Sequence, residues 1–188
     1  MQKSDSTSYI YTRLFCEENI WKLVELLYMN KIAKPIDVLF LLNETNSIAL
    51  YNQNQAESNT PVIWDYHVIL CAEQEGEIII YDFDSHCGFP TNITDYFNST
   101  FPSHSKLFET YQPLIKLICA DYFFKHFFSD RHHMIGLIDE NEFPKYEIIT
   151  PIKSLEKLTL DQCRNTQHFI SNKKMMQPSE YLNSITKT

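Results

Sequence analysis

The stretch from Val62 to Asp84 constrains this chain more than any other part of it. Val62, Trp64, Tyr66, Val68 and Leu70 alternate with Ile63, Asp65, His67, Ile69 and Cys71. Further on, Ile78, Ile80, Asp82 and Asp84 alternate with Ile79, Tyr81 and Phe83. Successive side chains of an extended strand point to opposite faces, so this spacing predicts two strands. The polar Glu73-Gln74-Glu75-Gly76 between them is a hairpin signal. With the turn centred between Gln74 and Glu75, Cys71 faces Ile78, Ile69 faces Ile80, His67 faces Asp82 and Asp65 faces Asp84. Opposed Cβ atoms lie about 4.5–5.5 Å apart, so a histidine and a carboxylate come within reach of each other. The same register opposes two carboxylates, which is unfavourable unless one takes a proton or a cation sits between them.

Around this hairpin, Ile20, Trp21, Leu23, Val24, Leu27 and Tyr28 repeat at helical spacing and predict a helix from about Cys16 to Tyr28. Pro35 closes the connection to a buried strand over Val38–Leu42, and Ile48–Tyr51 reads as another strand. Asn52–Pro61 reads as a loop and Leu114–Cys119 as a strand. Asp121 is placed to cap a short aromatic helix, Tyr122–Phe128, followed by the polar Ser129–Met134. The segment from Lys153 to Thr188, with its Lys173-Lys174 pair, is polar and shows no architecture. One helix followed by hairpin-like strands is an α+β pattern with a mostly antiparallel sheet. With 188 residues and no dividing linker, residues 1–188 are expected to form a single domain.

Composition narrows the chemistry. Three glycines, at 76, 88 and 136, cannot write a dinucleotide-binding or P-loop motif. The five cysteines are too far apart for a zinc knuckle, and the odd count suggests reduced thiols. His132-His133 are adjacent, so neither a metal nor a cofactor is expected. Sixteen basic against twenty-four acidic residues leave a net charge of −8, unsuited to nucleic acid or anionic lipid. The polar Met1–Ser8 and the lack of long apolar runs predict no export signal and no membrane span, hence a cytoplasmic protein.

Cys16 lies at the start of the first helix, four residues before Ile20. A helix N-terminus and an imidazolium both stabilise a thiolate, whereas Glu17 and Glu18 oppose it. Cys16 also reads as a small buried hydrophobe, and four other cysteines compete with it. His67 beside Asp82 has the arrangement of a general base oriented by a carboxylate, or of a half-buried histidine satisfied by an acid. Asp65, Asp84, Glu17 and Glu18 together suggest a pocket for an ammonium group, although acids on a first helical turn also simply complement the helix dipole.

Cys16-Glu17-Glu18-Asn19-Ile20-Trp21-Lys22-Leu23, Val62-Ile63-Trp64-Asp65-Tyr66-His67-Val68 and Ile80-Tyr81-Asp82-Phe83-Asp84 resemble the protein N-terminal glutamine amidohydrolase family. Ala120-Asp121 and Ser129-Asp130-Arg131-His132-His133-Met134 resemble it too, in the same order, so the likeness covers about residues 11–146. The resemblance implies hydrolysis of an N-terminal glutamine side-chain amide to glutamate and ammonia, feeding the arginine branch of the N-degron pathway. It implies a catalytic triad of Cys16, His67 and Asp82, and a papain/transglutaminase-like fold with the nucleophilic helix packed on the sheet.

Substrate contacts are expected from Asp65 and Asp84 first, then Glu17, Glu18 and Trp64. Partners implied are proteins with a free N-terminal glutamine and other N-degron enzymes, with the chain a monomer in the cytoplasm and the nucleus. The family's C-terminal tryptophan and glycine have no counterpart after Gly136, so residues 151–188 are divergent. Ser129–Met134 is expected to close or brace the site, or to be a surface turn. Two other readings use the same residues: a cysteine peptidase or transglutaminase-like acyl transferase, and a module that binds N-terminal glutamine without turning it over.

Overall fold

A computed structural model describes residues 9–57, 60–103, 108–152, 156–168, 170 and 175–187. The polar start at 1–8 and Lys173-Lys174 lie outside these residues. Five strands make the central sheet: β1 (Lys34–Leu42), β4 (His67–Gln74), β5 (Glu77–Tyr81), β6 (Thr91–Asn92) and β7 (Leu114–Cys119). Their order is β6-β5-β4-β1-β7, and every neighbouring pair is antiparallel. A separate antiparallel ribbon joins β2 (Ile48–Leu50) to β3 (Val62–Trp64).

Both faces of the sheet are covered. Helix α1 (Cys16–Asn30) buries Ile20, Leu23, Val24 and Leu27 against Val38, Phe40, Val68 and Leu70, with α3 (Ala120–His126) adding Phe123. The opposite face, Leu39, Leu41, Ile69, Cys71 and Ile80, is covered by Tyr96 and Phe97 of α2 (Ile93–Thr100) and Tyr181 of α5 (Pro178–Thr186). The alternation of β1 and β4 is thus fully used, one set of side chains in each of two cores. Pro35 lies inside β1 rather than before it, where the pairing with β4 slips between Pro35 and Asp37; such irregularities are where a strand tolerates proline.

The β4–β5 hairpin forms, two residues out of the expected register. Leu70 pairs with Tyr81, Cys71 with Ile80 and Gln74 with Glu77. The turn is Glu75-Gly76, with φ of 54° and 86°; two positive φ values are what a type I′ connection requires, and its twist matches that of the strands. A shift of two keeps every side chain on its expected face. It removes the Asp65–Asp84 opposition, and the ladder ends at Tyr81, so Asp82 meets His67 beyond the strand end.

The long strand expected from Val62 is also interrupted. β3 stops at Trp64, the chain turns at Asp65-Tyr66, and β4 starts at His67. The break moves Trp64 to the His67 side, where the rings stack at 5.3 Å and 18°. Helix α3 begins at Ala120, with Asp121 inside its first turn, paired with Lys125 at 2.7 Å, and not at its cap. The segment expected to lack architecture supplies β9 (Leu158–Thr159), which pairs in parallel with β8 (Phe127–Phe128), then α4 (Leu160–Arg164) and α5. No described helix is long and apolar enough to cross a membrane.

A Cβ at Gly76 would meet nothing within 4 Å, so the φ of 86° alone opposes substitution. Gly76→Ala is expected to lower stability by about 1 kcal/mol, read as a lower denaturant midpoint at unchanged m-value.

Candidate active site

Cys16, the first residue of α1, reaches a cavity of about 280 Å³ also lined by Trp64, Tyr66, His67, Asp84 and Arg164. Its approach is fixed by Asn19, whose side chain accepts from the Thr12 N–H and donates to the Thr12 carbonyl, both at 2.8 Å. Leu14, on the same wall, takes a φ of 68° as the chain turns into the helix. The Cys16 thiol donates to Glu17 Oε2 at 3.6 Å. Burial raises its pKa well above the ordinary thiol value, and the Glu17 and Asp84 carboxylates raise it further, while the Val68 N–H opposes them. The resting group is therefore a thiol, and the helix terminus does not by itself make a thiolate.

His67 is buried at the start of β4, where only β1 still pairs with that strand. Its Nε2 lies 2.7 Å from Asp82 Oδ1, while Nδ1 is buried without a hydrogen-bond partner. Asp82 also accepts from Tyr96 Oη at 2.7 Å, the Asp84 N–H at 3.0 Å and Gln53 Nε2 at 3.3 Å. Burial would lower the His67 pKa, but the charge and hydrogen bond of Asp82 outweigh it and raise it. Asp82 moves the other way: burial would raise it, and His67 and Tyr96 bring it below the ordinary carboxylate value.

The four other acids take different roles. Asp84 stays on the cavity wall and accepts from Tyr11 Oη at 2.8 Å. Asp65 also lines the cavity, but on its exposed side and held by Arg164 at 3.0 Å. Glu18 points away from the cavity wall into a buried ion pair. Arg131 Nε and Nη2 reach its two oxygens at 2.9 Å, and Ser129 Oγ donates to it at 2.7 Å. Glu17 lies under Cys16, accepting from Tyr66 Oη at 2.9 Å, with its Oε1 buried and unbonded. Burial brings its pKa up to about 7. Neither Glu17 nor Glu18 is a solvated complement to the helix dipole; both are fully buried.

Arg131 supplies the bracing expected of Ser129–Met134, while several other contributors escaped the sequence. Arg131 also donates to the Pro144 and Tyr146 carbonyls at 3.1 Å, so Ser129–Met134 braces the loop onto α1 and brings His133 to the cavity. Arg164, from the divergent C-terminal part, stacks over the Tyr66 ring at 4.3 Å. Buried Lys116 holds its helix by donating to the Gln162 and Asn165 carbonyls at 2.7 and 2.9 Å. Tyr96 and Gln53 come from segments with no motif. A basic residue inside an apolar strand, as at Lys116, was the one available signal. The ligand atoms of His67, Asp82 and Asp84 lie within 4.8 Å of one another and are the described group that could bridge a cation.

A thiol, an imidazole and a buried carboxylate around one cavity define a site suited to cysteine-based nucleophilic chemistry. A profile of the N-terminal glutamine amidase family matches residues 11–184, and the chain belongs to that family. The protein N-terminal glutamine amidohydrolase of Danio rerio is 38% identical over 129 residues, covering 66% of this chain and 63% of that protein. Those of Arabidopsis thaliana and Homo sapiens are 35% and 36% identical, covering 69% and 66% of this chain and 62% of each relative. The chain thus spans less than two thirds of the length of these curated relatives.

Two measurements probe this site. The His67 imidazole, followed by NMR, should keep its proton above the ordinary 6.5 and titrate lower in Asp82→Asn. Because its folded pKa is raised, the stability it contributes is complete below 6.5 and is lost as pH rises through the folded value. Glu18→Ala, which leaves Arg131 buried and unpaired, should cost about 3–5 kcal/mol in chemical unfolding.

Proposed function

We propose that this chain hydrolyses the side-chain amide of an N-terminal glutamine, releasing ammonia and leaving N-terminal glutamate. The observation that carries the reading is His67: Asp82 occupies Nε2, and Nδ1 is buried and unbonded on a residue that shares the cavity wall with Cys16. In the proposed cycle His67 Nδ1 takes the Cys16 proton as sulfur attacks the amide carbon. The proton then goes to the departing nitrogen, which leaves as ammonia, and a thioester remains. Water, deprotonated by His67, adds to the thioester carbon; the carboxylate forms and the thiol is restored. Asp82 fixes the imidazole tautomer and stabilises the imidazolium.

The substrate's free α-ammonium is assigned to Asp84, a wall carboxylate whose one hydrogen-bonded side-chain partner among the described residues is the neutral Tyr11 phenol. Asp65, the other acid ranked first from sequence, is already held by Arg164, and Glu18 by Arg131. Trp64 is assigned to orient His67 and to flank the substrate side chain. The antiparallel sheet with a cysteine at the head of a packed helix supports a papain/transglutaminase-like reading of the fold, with residues 1–188 as one catalytic domain. The same reading places the chain in the N-degron pathway, acting as a monomer in the cytoplasm and nucleus.

Ammonia release from a short peptide beginning with glutamine tests this directly, beside its acetylated form and an N-terminal asparagine analogue. Release from the free glutamine peptide alone is expected, none from Cys16→Ala, and a kcat about 10⁴-fold lower in Asp82→Asn. Asp84→Asn should raise KM and weaken discrimination against the acetylated peptide. No release from any peptide would sink the amidase reading in favour of a binding module.

A further inference from the structure

Each buried or wall acid of this site has a donor, but the donors differ in charge. Glu18 has Arg131, Asp65 has Arg164 and Asp82 has His67. Glu17 and Asp84, the two acids whose charges act on the Cys16 sulfur, take their side-chain hydrogen bonds from uncharged donors: the Tyr66 phenol and the Cys16 thiol itself for Glu17, the Tyr11 phenol for Asp84. Among the described residues the basic group nearest Glu17 is His133, with Nε2 3.6 Å from Oε1; both atoms are buried and neither has a hydrogen bond. Burial, then Arg164 and His132, hold the His133 pKa below its ordinary value, so near neutral pH this neighbour carries no charge.

We propose that Glu17 restrains the ionisation of Cys16, and that the α-ammonium of the arriving substrate lifts the restraint. The second half rests on the amidase reading; the first does not. Glu17 Oε2 accepts the Cys16 S–H at 3.6 Å, which favours the thiol, and a carboxylate beside a sulfur disfavours a second negative charge. A cation held by Asp84 on the cavity wall offsets both fields at the sulfur. The S–H bond then breaks, the proton passes to His67 Nδ1, and Asp82 stabilises the imidazolium. The titratable and charged groups that share the cavity with Cys16 are Tyr66 and His67 entering β4, Asp65 before them, Asp84 after β5, His133 on the bracing loop and Arg164 on α4. Glu17 lies beneath the sulfur, Tyr11 and the exposed Arg13 precede α1, Asp82 stands behind His67, and Glu18 and Arg131 are paired with each other away from the wall. Among them the Arg131 and Arg164 cations are each committed to another acid. In this scheme a free amine is recognised and the nucleophile made reactive in one event, and the two effects are reciprocal.

The test is the pH dependence of Cys16 alkylation by chloroacetamide, with the five cysteines resolved by peptide mass spectrometry. In Glu17→Gln the midpoint should fall by about one unit. At about pH 9, where Glu17 is ionised, the rate should rise about threefold, because about tenfold more thiolate is partly offset by its weaker nucleophilicity. The two profiles should converge well below pH 7, where Glu17 holds its own proton. Glu17→Asp, which keeps the charge, should follow the wild type. Asp84→Asn should shift the midpoint in the same direction and carries the test if Glu17→Gln does not fold. Glycinamide near neutral pH should accelerate wild-type alkylation, N-acetylglycinamide should not, and Glu17→Gln should respond less.

An unchanged or raised midpoint in Glu17→Gln overturns the restraint, and equal effects of the two amides overturn its release. Alkylation reads the charge on Cys16 whether or not ammonia is ever formed. A chain that shifts as described but releases no ammonia keeps the restraint and loses the amidase reading.

Discussion

A carboxylate stays ionised inside a protein only when donors replace the water it has lost, and Asp82 meets that demand from four directions. His67 comes from β4, Tyr96 from α2, Gln53 from the loop after β2, and the Asp84 N–H from its own turn. These bonds do more than hold one charge. They fix the point where β5 gives way to irregular chain, they set the imidazole, and they direct Asp84 to the cavity wall. The covering of the second sheet face by α2 is thereby tied to the chemistry at the end of β5, since Tyr96 serves both.

Glu17 and Glu18 show how little adjacency in sequence says about role. On a helix they are separated by about 100°, enough to send one beneath the cysteine and the other into the Arg131 pair. Glu18 joins α1 to a loop more than a hundred residues away, with its charge fully answered. Glu17 meets a phenol and a neutral imidazole. A buried charge with a cation partner is architecture; one without is poised to respond to whatever enters.

The sequence was legible where its signals were local. Strand alternation located both faces of the hairpin and hence the His67–Asp82 proximity, and parity preserved that result although the turn lay one position later than expected. The position was missed because Glu75, not a glycine or asparagine, takes the first positive φ. The break after Trp64 was hidden by continuous alternation, and with it the stacking on His67. The Arg164 partner of Asp65 was out of reach of the sequence, because it lies 99 residues away on α4, a helix that Lys116 ties to the sheet. The short helices α2 and α5 carry too few apolar residues to announce themselves, and their large aromatic contacts exist only once the sheet is formed.

Trp64, lying flat against His67 at 5.3 Å, has one further consequence. An imidazolium quenches indole fluorescence at contact far more than a neutral imidazole does. The second of the chain's two tryptophans, Trp21, packs instead on Phe124 and donates to its carbonyl at 3.1 Å. The protein thus carries an optical gauge of the charge on its own base, built from a residue that the fold brought there by breaking a strand.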